Sequence, residues 1–496
     1  MQDLINQLNA IIWSPALIGL CLAAGLFFSI KTRFIQVRYL PEMIRLLRSN
    51  KSNSAGISSL QALTMSLAGR VGTGNIAGVA AAIGFGGPGA IFWMWVIAFL
   101  GAATAFVEST FGQIYKEELQ GQFRGGPAFY IEKALGWKRF AQVFAVVTVV
   151  SAGFLMPGVQ SNSIANAVTQ ALNDSSLVSA SGFEMSGLIT GIIAGALLTA
   201  IIFGGIKRIA KFTEIVVPAM AVLYVIIAVI IIGMHIDILP AIFGQIFSDA
   251  FSPMAGVGAA IGWGVKRGVY SNEAGQGTGP HAAAAAHVDH PAQQGMVQAL
   301  SVYIDTLCIC TATALMILIA GTYNVHAPEA GFLVQNLAAD ISASSPAFTQ
   351  LAIEHHFPGF GSLFVAVALS GFAFTTIIAY YYIAETNLSF LMRNLNIPFL
   401  PVVLKLAIVA ATFYGCVRTA DLAWGLGDLG VGLMAWLNLI AIFCIFYRTR
   451  PALKALDDYS RQQDEGVEKF TFSPEALDIK NAHYWVKRNQ EEKPKL

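Results

Sequence analysis

The sequence predicts an all-α polytopic membrane protein with eleven transmembrane helices, and three observations carry that prediction. Of the 496 residues, 55% are hydrophobic and 12% are charged, whereas soluble proteins carry about 25% charged residues. Apolar runs of about 20 residues, the length that crosses a bilayer, recur between residues 11 and 447. Two of these runs contain clustered glycines, which weaken a helix and leave backbone groups unpaired in lipid.

The predicted helices follow one another along the chain with polar segments between them. The first apolar run stands apart, and the ten that follow divide into two sets of five with opposite orientation. The eleven predicted spans are 11–30, 57–83, 88–115, 140–171, 186–204, 212–233, 244–264, 293–321, 361–392, 398–417 and 421–447. The corresponding domains are an N-terminal helix and loop (1–56), a first repeat (57–233), a second repeat (244–447) and a polar tail (448–496).

Basic residues predict how these helices are oriented. Of the 30 Lys and Arg residues, 27 fall in alternate loops and in the tail, namely in 31–56, 116–139, 205–211, 265–292, 393–397 and 448–496. The long loop 322–360 has none. The positive-inside rule therefore predicts that the N-terminus is outside and the C-terminus is cytoplasmic, as an odd number of spans requires. We expect the protein in the plasma (inner) membrane.

The first glycine-rich interruption is 69–75, in the middle of the apolar run 57–83. Irregular backbone at membrane depth persists only where it is buried in protein or lines a polar cavity. A broken helix of this kind is typical of the substrate site of a secondary transporter. A glycine-rich packing face is the alternative, but packing alone requires small residues and not the amide of Asn75.

The second repeat is also predicted to open with an interrupted helix, at Gly256-Val257-Gly258 and Gly262-Trp263-Gly264. Matching interruptions in both halves are expected of an inverted-repeat carrier. A channel needs a pore lined by carbonyls or charge, usually in a symmetric oligomer, and fits this pattern less well. The sequence contains no Gly-x-Ser-x-Gly, His-Glu-x-x-His or nucleotide-binding loop, so it predicts neither an enzyme nor an ATP-driven pump.

Three segments are distinctive: 86–95 (Gly-Gly-Pro-Gly-Ala-Ile-Phe-Trp-Met-Trp), 125–132 (Gly-Gly-Pro-Ala-Phe-Tyr-Ile-Glu) and 271–277 (Ser-Asn-Glu-Ala-Gly-Gln-Gly). With them the chain resembles the alanine/glycine:cation symporter family, the sodium:alanine symporters, from residue 11 to about 447. The resemblance implies a leucine-transporter-type fold, a five-plus-five inverted repeat with one extra N-terminal helix. It also implies small neutral amino acids such as alanine and glycine as substrates and Na⁺ as the coupling ion, with proton coupling as the alternative. It implies no further cofactor and no nucleic-acid partner.

The interruption at 69–75 supplies the predicted substrate site, because an amino acid needs donors for its carboxylate and acceptors for its ammonium. The half-helix that begins near Asn75 offers free N–H groups and a positive dipole end. Gln160 is expected to accept from the ammonium or, alternatively, to join helices. Trp263 is expected to form a wall of the pocket or to serve packing alone. The predicted substrate-binding residues are Gly72, Thr73, Gly74, Asn75, Gln160 and Trp263.

The expected cation site follows from the resemblance. In leucine-transporter-type folds a sodium ion lies between carbonyls of the first broken helix and hydroxyls of the eighth core helix, here 361–392. The expected ligands are the carbonyls of Ala68 and Val71 and the hydroxyls of Thr375 and Thr376. Such oxygens suit a hard cation, although the two hydroxyls could instead bond back to their own helix.

The charged residues Arg70, Glu108 and Asp305 are predicted to lie within spans. Charges inside a membrane are costly and usually serve a function. We expect them to form an ion-pair network that is structural or part of a gate. The alternative is that one of the two carboxylates takes part in ion coupling.

Overall fold

The computed structural model describes residues 2–47, 55–172, 185–251, 256–327, 331–395 and 397–492, which are mostly helical. The α-helices are α1 (Gln2–Ile12), α2 (Pro15–Lys31), α3 (Ile35–Arg38), α4 (Leu40–Leu46), α5 (Ser59–Arg70), α6 (Val79–Gly86), α7 (Ala90–Ile114), α8 (Pro127–Tyr130), α9 (Lys138–Val150), α10 (Met156–Leu172), α11 (Met185–Ile202), α12 (Gly205–Met234), α13 (Leu239–Phe251), α14 (Val257–Asn272), α15 (Gly279–Ala285), α16 (Pro291–Val302), α17 (Thr311–Ala320), α18 (Ala347–His356), α19 (Gly361–Leu391), α20 (Leu400–Cys416), α21 (Ala420–Thr449), α22 (Pro451–Asp464) and α23 (His483–Glu492). π-Helical stretches at Gly74–Gly78, Ile131–Leu135, Ser151–Leu155 and Tyr303–Cys310 adjoin these helices. Two antiparallel hairpins pair β1 (Glu117–Leu119) with β2 (Gln122–Arg124), and β3 (Asn324–His326) with β4 (Phe332–Gln335).

Length and hydropathy identify most of the predicted membrane spans. Among the described residues, the helices that are long and apolar enough to cross a bilayer are Ala90–Ile114, Lys138–Leu172, Met185–Ile202, Gly205–Met234, Pro291–Ala320, Gly361–Leu391 and Ala420–Thr449. The pair α1 and α2, bent by 42°, is an eighth candidate. The predicted spans 57–83, 244–264 and 398–417 fall on helices that are broken, displaced or short. Length and composition therefore account for eight of the eleven predicted spans.

The long helices differ in how much of their surface lies inside the bundle. The most apolar 18 residues of helix α12 have a mean hydropathy of 3.1, and only 22% of them are buried. Such a helix is suited to contact with lipid over most of its surface. Helix α19 is the opposite case, because 72% of its most apolar 18 residues are buried. It therefore lies in the core and carries Thr375 and Thr376 there, both almost completely buried.

Helix α7 packs closely against the second half of the chain through small residues. A Cβ atom on Gly112 would lie 2.7 Å from the Pro280 carbonyl oxygen, and one on Gly295 would lie 2.7 Å from the Phe106 ring. Small residues at helix contacts allow backbones to approach within a membrane. This contact joins α7 to α15 and α16, so that elements of both predicted repeats share one core.

The predicted interruption of the first broken helix is confirmed. Helix α5 begins with a capping box, in which Ser58 Oγ accepts from the Gln61 N–H at 3.2 Å and Gln61 Oε1 accepts from the Ser58 N–H at 3.1 Å. It ends at Arg70, and Val71 is extended with φ −77° and ψ 92°. The chain then continues through the π-helical turn Gly74–Gly78 into α6.

The second interruption does not lie where the sequence predicted it. Helix α14 starts at Val257, after Gly256 with φ 92°, and continues without a break through Gly262 and Gly264, so the predicted break at Gly262-Trp263-Gly264 is wrong. The predicted span 244–264 is divided between α13 and α14; residues 252–255 lie outside the described part of the chain. Gly264 serves close packing instead, because a Cβ atom there would lie 2.6 Å from Trp93 Cβ. The same glycine pattern thus marks a helix contact here.

The chain unwinds only after α14 ends at Asn272. Glu273, Gly275 and Gly277 have φ angles of 58°, 86° and 83°, in the left-handed region that glycine adopts readily and other residues rarely. Helix α15 starts again at Gly279. The second broken helix therefore consists of α14 and α15, with its interruption at 273–278, which overlaps the segment 271–277 that carried the family resemblance.

The polar C-terminal tail folds onto one end of the bundle through α22 and α23. Trp485 is buried and donates from Nε1 to the Gln113 carbonyl oxygen at 2.9 Å. Beside it, Lys116 Nζ donates to the Ala286 carbonyl oxygen at 2.8 Å and lies over the Phe123 ring. Burial lowers the pKa of Lys116 well below its usual range. The tail thus covers the end of the second broken helix.

Candidate functional site

The first interruption lies where α10, α14 and α19 meet, and glycine is required there by close approach. A Cβ atom on Gly72 would be 2.5 Å from Thr376 Oγ1 and 2.8 Å from Gln160 Oε1. A Cβ atom on Gly74 would be 3.2 Å from the Ser271 Cα atom of α14. The glycines of this segment therefore allow three helices to approach the unwound backbone.

The backbone N–H groups freed by the interruption are capped by two amide side chains. The Gly72 N–H donates to Asn75 Oδ1 at 2.8 Å, and the Thr73 N–H donates to Gln160 Oε1 at 3.0 Å. The Thr73 hydroxyl is buried and has no hydrogen-bond partner among the described residues. The structure thus brings Gly72, Thr73, Gly74, Asn75 and Gln160 together. The Gln160 oxygen, predicted to face an ammonium, here accepts from a backbone amide.

Asn75 also connects the first interruption to the second half of the chain. Its Nδ2 atom donates to Asp305 Oδ1 at 2.7 Å. The hydroxyls of Ser271 and Thr306 donate to Asp305 Oδ2 at 2.9 Å and 2.7 Å. The Asp305 carboxylate is completely buried, and these three donors compensate for its removal from water.

The direct ion pairs expected among Arg70, Glu108 and Asp305 are not formed. Arg70 Nη1 donates to the Gln298 carbonyl oxygen at 3.1 Å and to the Ser301 hydroxyl, while its Nε and Nη2 atoms have no partner in the described part of the chain. A buried guanidinium still interacts with carboxylates farther away, because the interior screens charge weakly. The three charges share one buried region without touching.

Glu108 is held by donors from the second half of the chain. Its carboxylate accepts from Asn438 Nδ2 at 2.7 Å and from the Gly275 N–H at 3.2 Å. Tyr130 in turn donates to Asn438 Oδ1. Glu108 therefore fixes the second interruption against α7 and α21, which is a structural role of the kind that the sequence allowed.

Of the four predicted sodium ligands, Thr376 lies next to the carbonyls of Ala68 and Val71, whereas the Thr375 hydroxyl bonds within its own helix. Thr376 Oγ1 is 2.7 Å from the Ala68 carbonyl oxygen and 3.4 Å from the Val71 carbonyl oxygen. It is also 2.9 Å from the Phe372 carbonyl oxygen of its own helix, and Thr375 Oγ1 donates to that same oxygen at 2.9 Å. Carbonyl and hydroxyl oxygens are the ligands that hard cations prefer. The donor set fits a sodium ion, while the bonds to Phe372 satisfy the alternative of bonding within the helix.

Trp263 is not at an interruption, so its predicted position is wrong. It lies on the continuous helix α14 and stacks on Phe85, with ring centroids 4.6 Å apart. Both rings line a cavity of about 630 Å³ at the end of the bundle that also contains residues of α1. Only the break was placed wrongly, at the glycines around Trp263; the choice between a pocket wall and packing stays a prediction.

Two basic residues of the same helix also differ from expectation. Lys266 and Arg267 are predicted in a polar loop, 265–292, but they lie on α14 and pair with Asp428 of α21, where Arg267 and Asp428 are buried and Lys266 is partly exposed. Arg267 makes two hydrogen bonds to that carboxylate, at 2.8 Å and 3.0 Å, and Lys266 Nζ lies 2.6 Å from it. Two of the basic residues used to predict orientation therefore neutralise a buried acid.

The sequence predicts no function for Glu273. Its side chain is almost completely buried, and its Oε1 atom has no hydrogen-bond partner within the described ranges. The available signal was an acidic residue among small residues in the segment 271–277. The error in placing the second break left this segment in a presumed loop, where a carboxylate needs no explanation.

The family of the chain is decided by sequence comparison. The family model described as "Sodium:alanine symporter family" matches residues 1–473. The chain belongs to that family. The sodium/proton-dependent alanine carrier protein of Bacillus sp. (strain PS3) is 48% identical over 462 residues, which cover 91% of this chain and 100% of that protein. The sodium/alanine symporter AgcS of Methanococcus maripaludis is 37% identical, over 89% of this chain and 94% of that protein.

A solved structure shows the fold to which this family member is similar. The crystal structure of MhsT in complex with L-phenylalanine matches with a TM-score of 0.51 and 17% sequence identity, over 80% of this chain and 100% of that chain. At this identity the likeness concerns the fold alone. It agrees with the leucine-transporter-type fold that the resemblance implied.

Proposed function

We propose that the protein is a secondary transporter that carries small neutral amino acids, alanine and also glycine, into the cytoplasm together with sodium ions. Two relatives that are named for sodium and alanine are 48% and 37% identical to it over most of the chain. Transport of this kind changes no covalent bond, and the proposal therefore assigns no catalytic residue.

The observation that carries this proposal is the contact between Thr376 and the carbonyls of Ala68 and Val71, at 2.7 Å and 3.4 Å. A sodium ion between these oxygens joins α19 to the end of α5, directly beside the unwound backbone. Binding of the ion thus organises the same segment that binds the amino acid. Such shared structure is what thermodynamic coupling between two ligands requires.

The amino acid binds, in this proposal, at the amides of Gly72 and Thr73. The partnerless Thr73 hydroxyl and these N–H groups donate to the carboxylate, which is favoured near the start of a half-helix. The oxygens of Asn75 and Gln160 now cap the two amides. They are released when the carboxylate replaces them, and the Gln160 oxygen then accepts from the ammonium.

The full architecture is part of the proposal. We count α5 with α6, α14 with α15, and α20 as the three spans that length alone does not identify, which gives eleven transmembrane helices. The first repeat is then the predicted 57–233, and the second begins at α14 and not at residue 244. The preference of basic residues for alternate loops supports an external N-terminus and a cytoplasmic C-terminus in the plasma membrane.

Proton coupling is the second candidate, because the relative from Bacillus sp. (strain PS3) is named for both sodium and protons. The proposed cation site favours sodium, since its ligands are hydroxyl and carbonyl oxygens and none of them titrates near neutral pH. Sodium coupling requires a sodium gradient to drive uptake, and proton coupling requires a proton gradient.

The test is uptake of labelled alanine by the purified protein in liposomes. We expect uptake under an inward sodium gradient in the presence of a proton uncoupler, and Thr376→Ala should raise the sodium concentration for half-maximal uptake about tenfold or more, the cost of losing one good ligand contact. Thr412→Ala, whose hydroxyl bonds within α20 at 2.8 Å, is the matched control. Equal uptake on a proton gradient in sodium-free buffer would refute the sodium assignment.

A further inference from the structure

A small cavity adjoins the proposed sodium site on the side of the second interruption. It is lined by Ser66 and Gly69 of α5, by Glu273 and Thr278 of the second interruption, and by Tyr382 of α19. Its free volume is about 10 Å³, which is about the minimum for one water molecule and thus enough for one small ion. The cavity therefore lies between the same two helices, α5 and α19, that supply the proposed sodium ligands.

The walls of this cavity carry oxygens without partners. The atoms Ser66 Oγ, Thr278 Oγ1, Tyr382 Oη and Glu273 Oε1 have no hydrogen-bond partner among the described residues, and each residue is less than 5% exposed. Buried polar atoms without partners are rare and require an explanation such as a bound water or ion. Four of them around one cavity indicate that the cavity is occupied in the working protein.

The charge of the surrounding region selects a cation. Arg70 faces three buried carboxylates, those of Glu108, Glu273 and Asp305. Glu108 and Asp305 accept hydrogen bonds from amides and hydroxyls, whereas the Oε1 atom of Glu273 accepts none. One guanidinium cannot neutralise three carboxylates, and the Glu273 oxygen that accepts no hydrogen bond is the one available to a cation.

We propose that this cavity is a second sodium-binding position, in which Glu273 supplies the charged ligand and the hydroxyls of Ser66, Thr278 and Tyr382 supply neutral ones. All four are hard oxygen ligands. The position rests on the proposed sodium-coupled function and extends it. Both positions take a ligand from α5, the Ser66 hydroxyl here and the Ala68 carbonyl at the first position.

The experiment measures the sodium and alanine fluxes together, with ²²Na⁺ and labelled alanine, in liposomes containing the full-length protein. We expect the wild type to move two sodium ions for each alanine. Glu273→Gln should move one, because a neutral amide no longer holds the second ion. Glu385→Gln is the matched control, since Glu385 pairs with Arg124 at 3.4 Å outside this cavity, and it should keep the wild-type ratio.

A second pair of variants protects the test against misfolding of Glu273→Gln. Tyr382→Phe removes one proposed ligand and should raise the sodium concentration for half-maximal uptake several-fold while making the sodium dependence less steep. Tyr381→Phe, whose hydroxyl bonds to Glu385 at 2.8 Å, should change neither quantity. Of these two neighbours on α19, Tyr382 lines the cavity and Tyr381 does not.

The outcomes separate this inference from the proposed function. A wild type that moves one sodium ion per alanine, or a Glu273→Gln protein that keeps the wild-type ratio, overturns the second position while sodium coupling stands. A variant that changes only proton movement overturns it as well. The absence of any sodium-driven alanine uptake in the wild type would instead overturn the proposed function.

Discussion

The two broken helices use opposite means to interrupt a helix inside the bundle. In the first, α5 and α6, the backbone unwinds at Val71 with ordinary negative φ angles, and amide side chains cap the freed N–H groups. In the second, α14 and α15, Glu273, Gly275 and Gly277 adopt positive φ angles. In the proposed function the first interruption therefore exchanges its caps for the amino acid, whereas the second is fixed by its backbone and contains the carboxylate of Glu273.

The largest expected effect comes from closing the first interruption. Gly72→Ala should abolish alanine uptake, because the new Cβ atom would press on Thr376 Oγ1 and Gln160 Oε1, at 2.5 Å and 2.8 Å. Uptake in liposomes measures it. Gly262→Ala, on the continuous part of α14 with nothing within 4 Å of the new Cβ atom, should retain most of the activity. Transport by Gly72→Ala at the wild-type rate would show that the close approach has no role.

Substitutions in the second interruption should lower the stability of the protein more than they weaken alanine binding. At Gly277 (φ 83°) a Cβ atom would lie 2.5 Å from Pro127 Cγ, so Gly277→Ala combines backbone strain of about 1–2 kcal/mol with an overpacking cost of about 1–3 kcal/mol. The melting temperature in detergent should fall by several degrees. Gly136→Ala has a similar φ of 74° and open space around it, and it should show the strain alone. Equal melting temperatures for the two variants would contradict this assignment.

The contrast between the interruptions explains what the sequence could predict. The first was located correctly because Gly72 and Gly74 lie beside Thr73 and Asn75, whose polar groups have no use in a packing face. The glycines at 262 and 264 form a similar pattern, yet they lie on a continuous helix. What distinguishes them is the neighbour at Gly264, the Trp93 side chain of α7. A contact with a residue so far away in the chain cannot be predicted from the local sequence.

The candidate site was predictable to a similar degree. The contact of Thr376 with the Ala68 and Val71 carbonyls was predicted because the resemblance supplied the helix on which to look for hydroxyls; its role as a sodium ligand stays a prediction. Glu273 was not singled out because an acidic residue in a predicted loop is expected to be exposed to water. Its burial depends on α5 and α19, which pack over it. Local composition thus predicted the unwound backbone, while the partners of each charged group depended on tertiary packing.

A smaller effect tests whether the amide caps of the first interruption matter for ligand binding. Gln160→Leu leaves the Thr73 N–H without its acceptor, and it removes the proposed acceptor for the ammonium. Losing the bond to the ammonium costs about 1–3 kcal/mol, which corresponds to roughly five- to 150-fold weaker alanine binding. Isothermal titration calorimetry measures it. Gln160→Glu keeps an acceptor at the same place and should lose less, and sodium binding without alanine should not change. Unaltered alanine affinity in Gln160→Leu would make Gln160 a residue that only joins helices.

The smallest expected effect concerns the end of the bundle where both broken helices meet beneath the tail. The Ile57 N–H donates to the Ala285 carbonyl oxygen at 3.0 Å, and His290, at the start of α16, joins this region to Asp458 of α22 with a distance of 3.3 Å. Nδ1 of His290 accepts from the Ala292 N–H at 3.2 Å. The histidine is therefore neutral when the tail is docked, with its proton on Nε2.

Burial lowers the pKa of His290 below its usual value, against the opposing effect of the Asp458 hydrogen bond. A group whose pKa is lower in the docked state stabilises docking above its free pKa, about 6.5, and that stabilisation is lost as the pH falls. Tail docking should weaken by at most about 1.4 kcal/mol for each pH unit below 6.5. Hydrogen exchange of the α22 amides at pH 5.5 and pH 7.5 measures it, with faster exchange expected at the lower pH. His290→Gln keeps an acceptor without the titration and should remove the difference; a difference that persists in this variant would assign the pH dependence to another group.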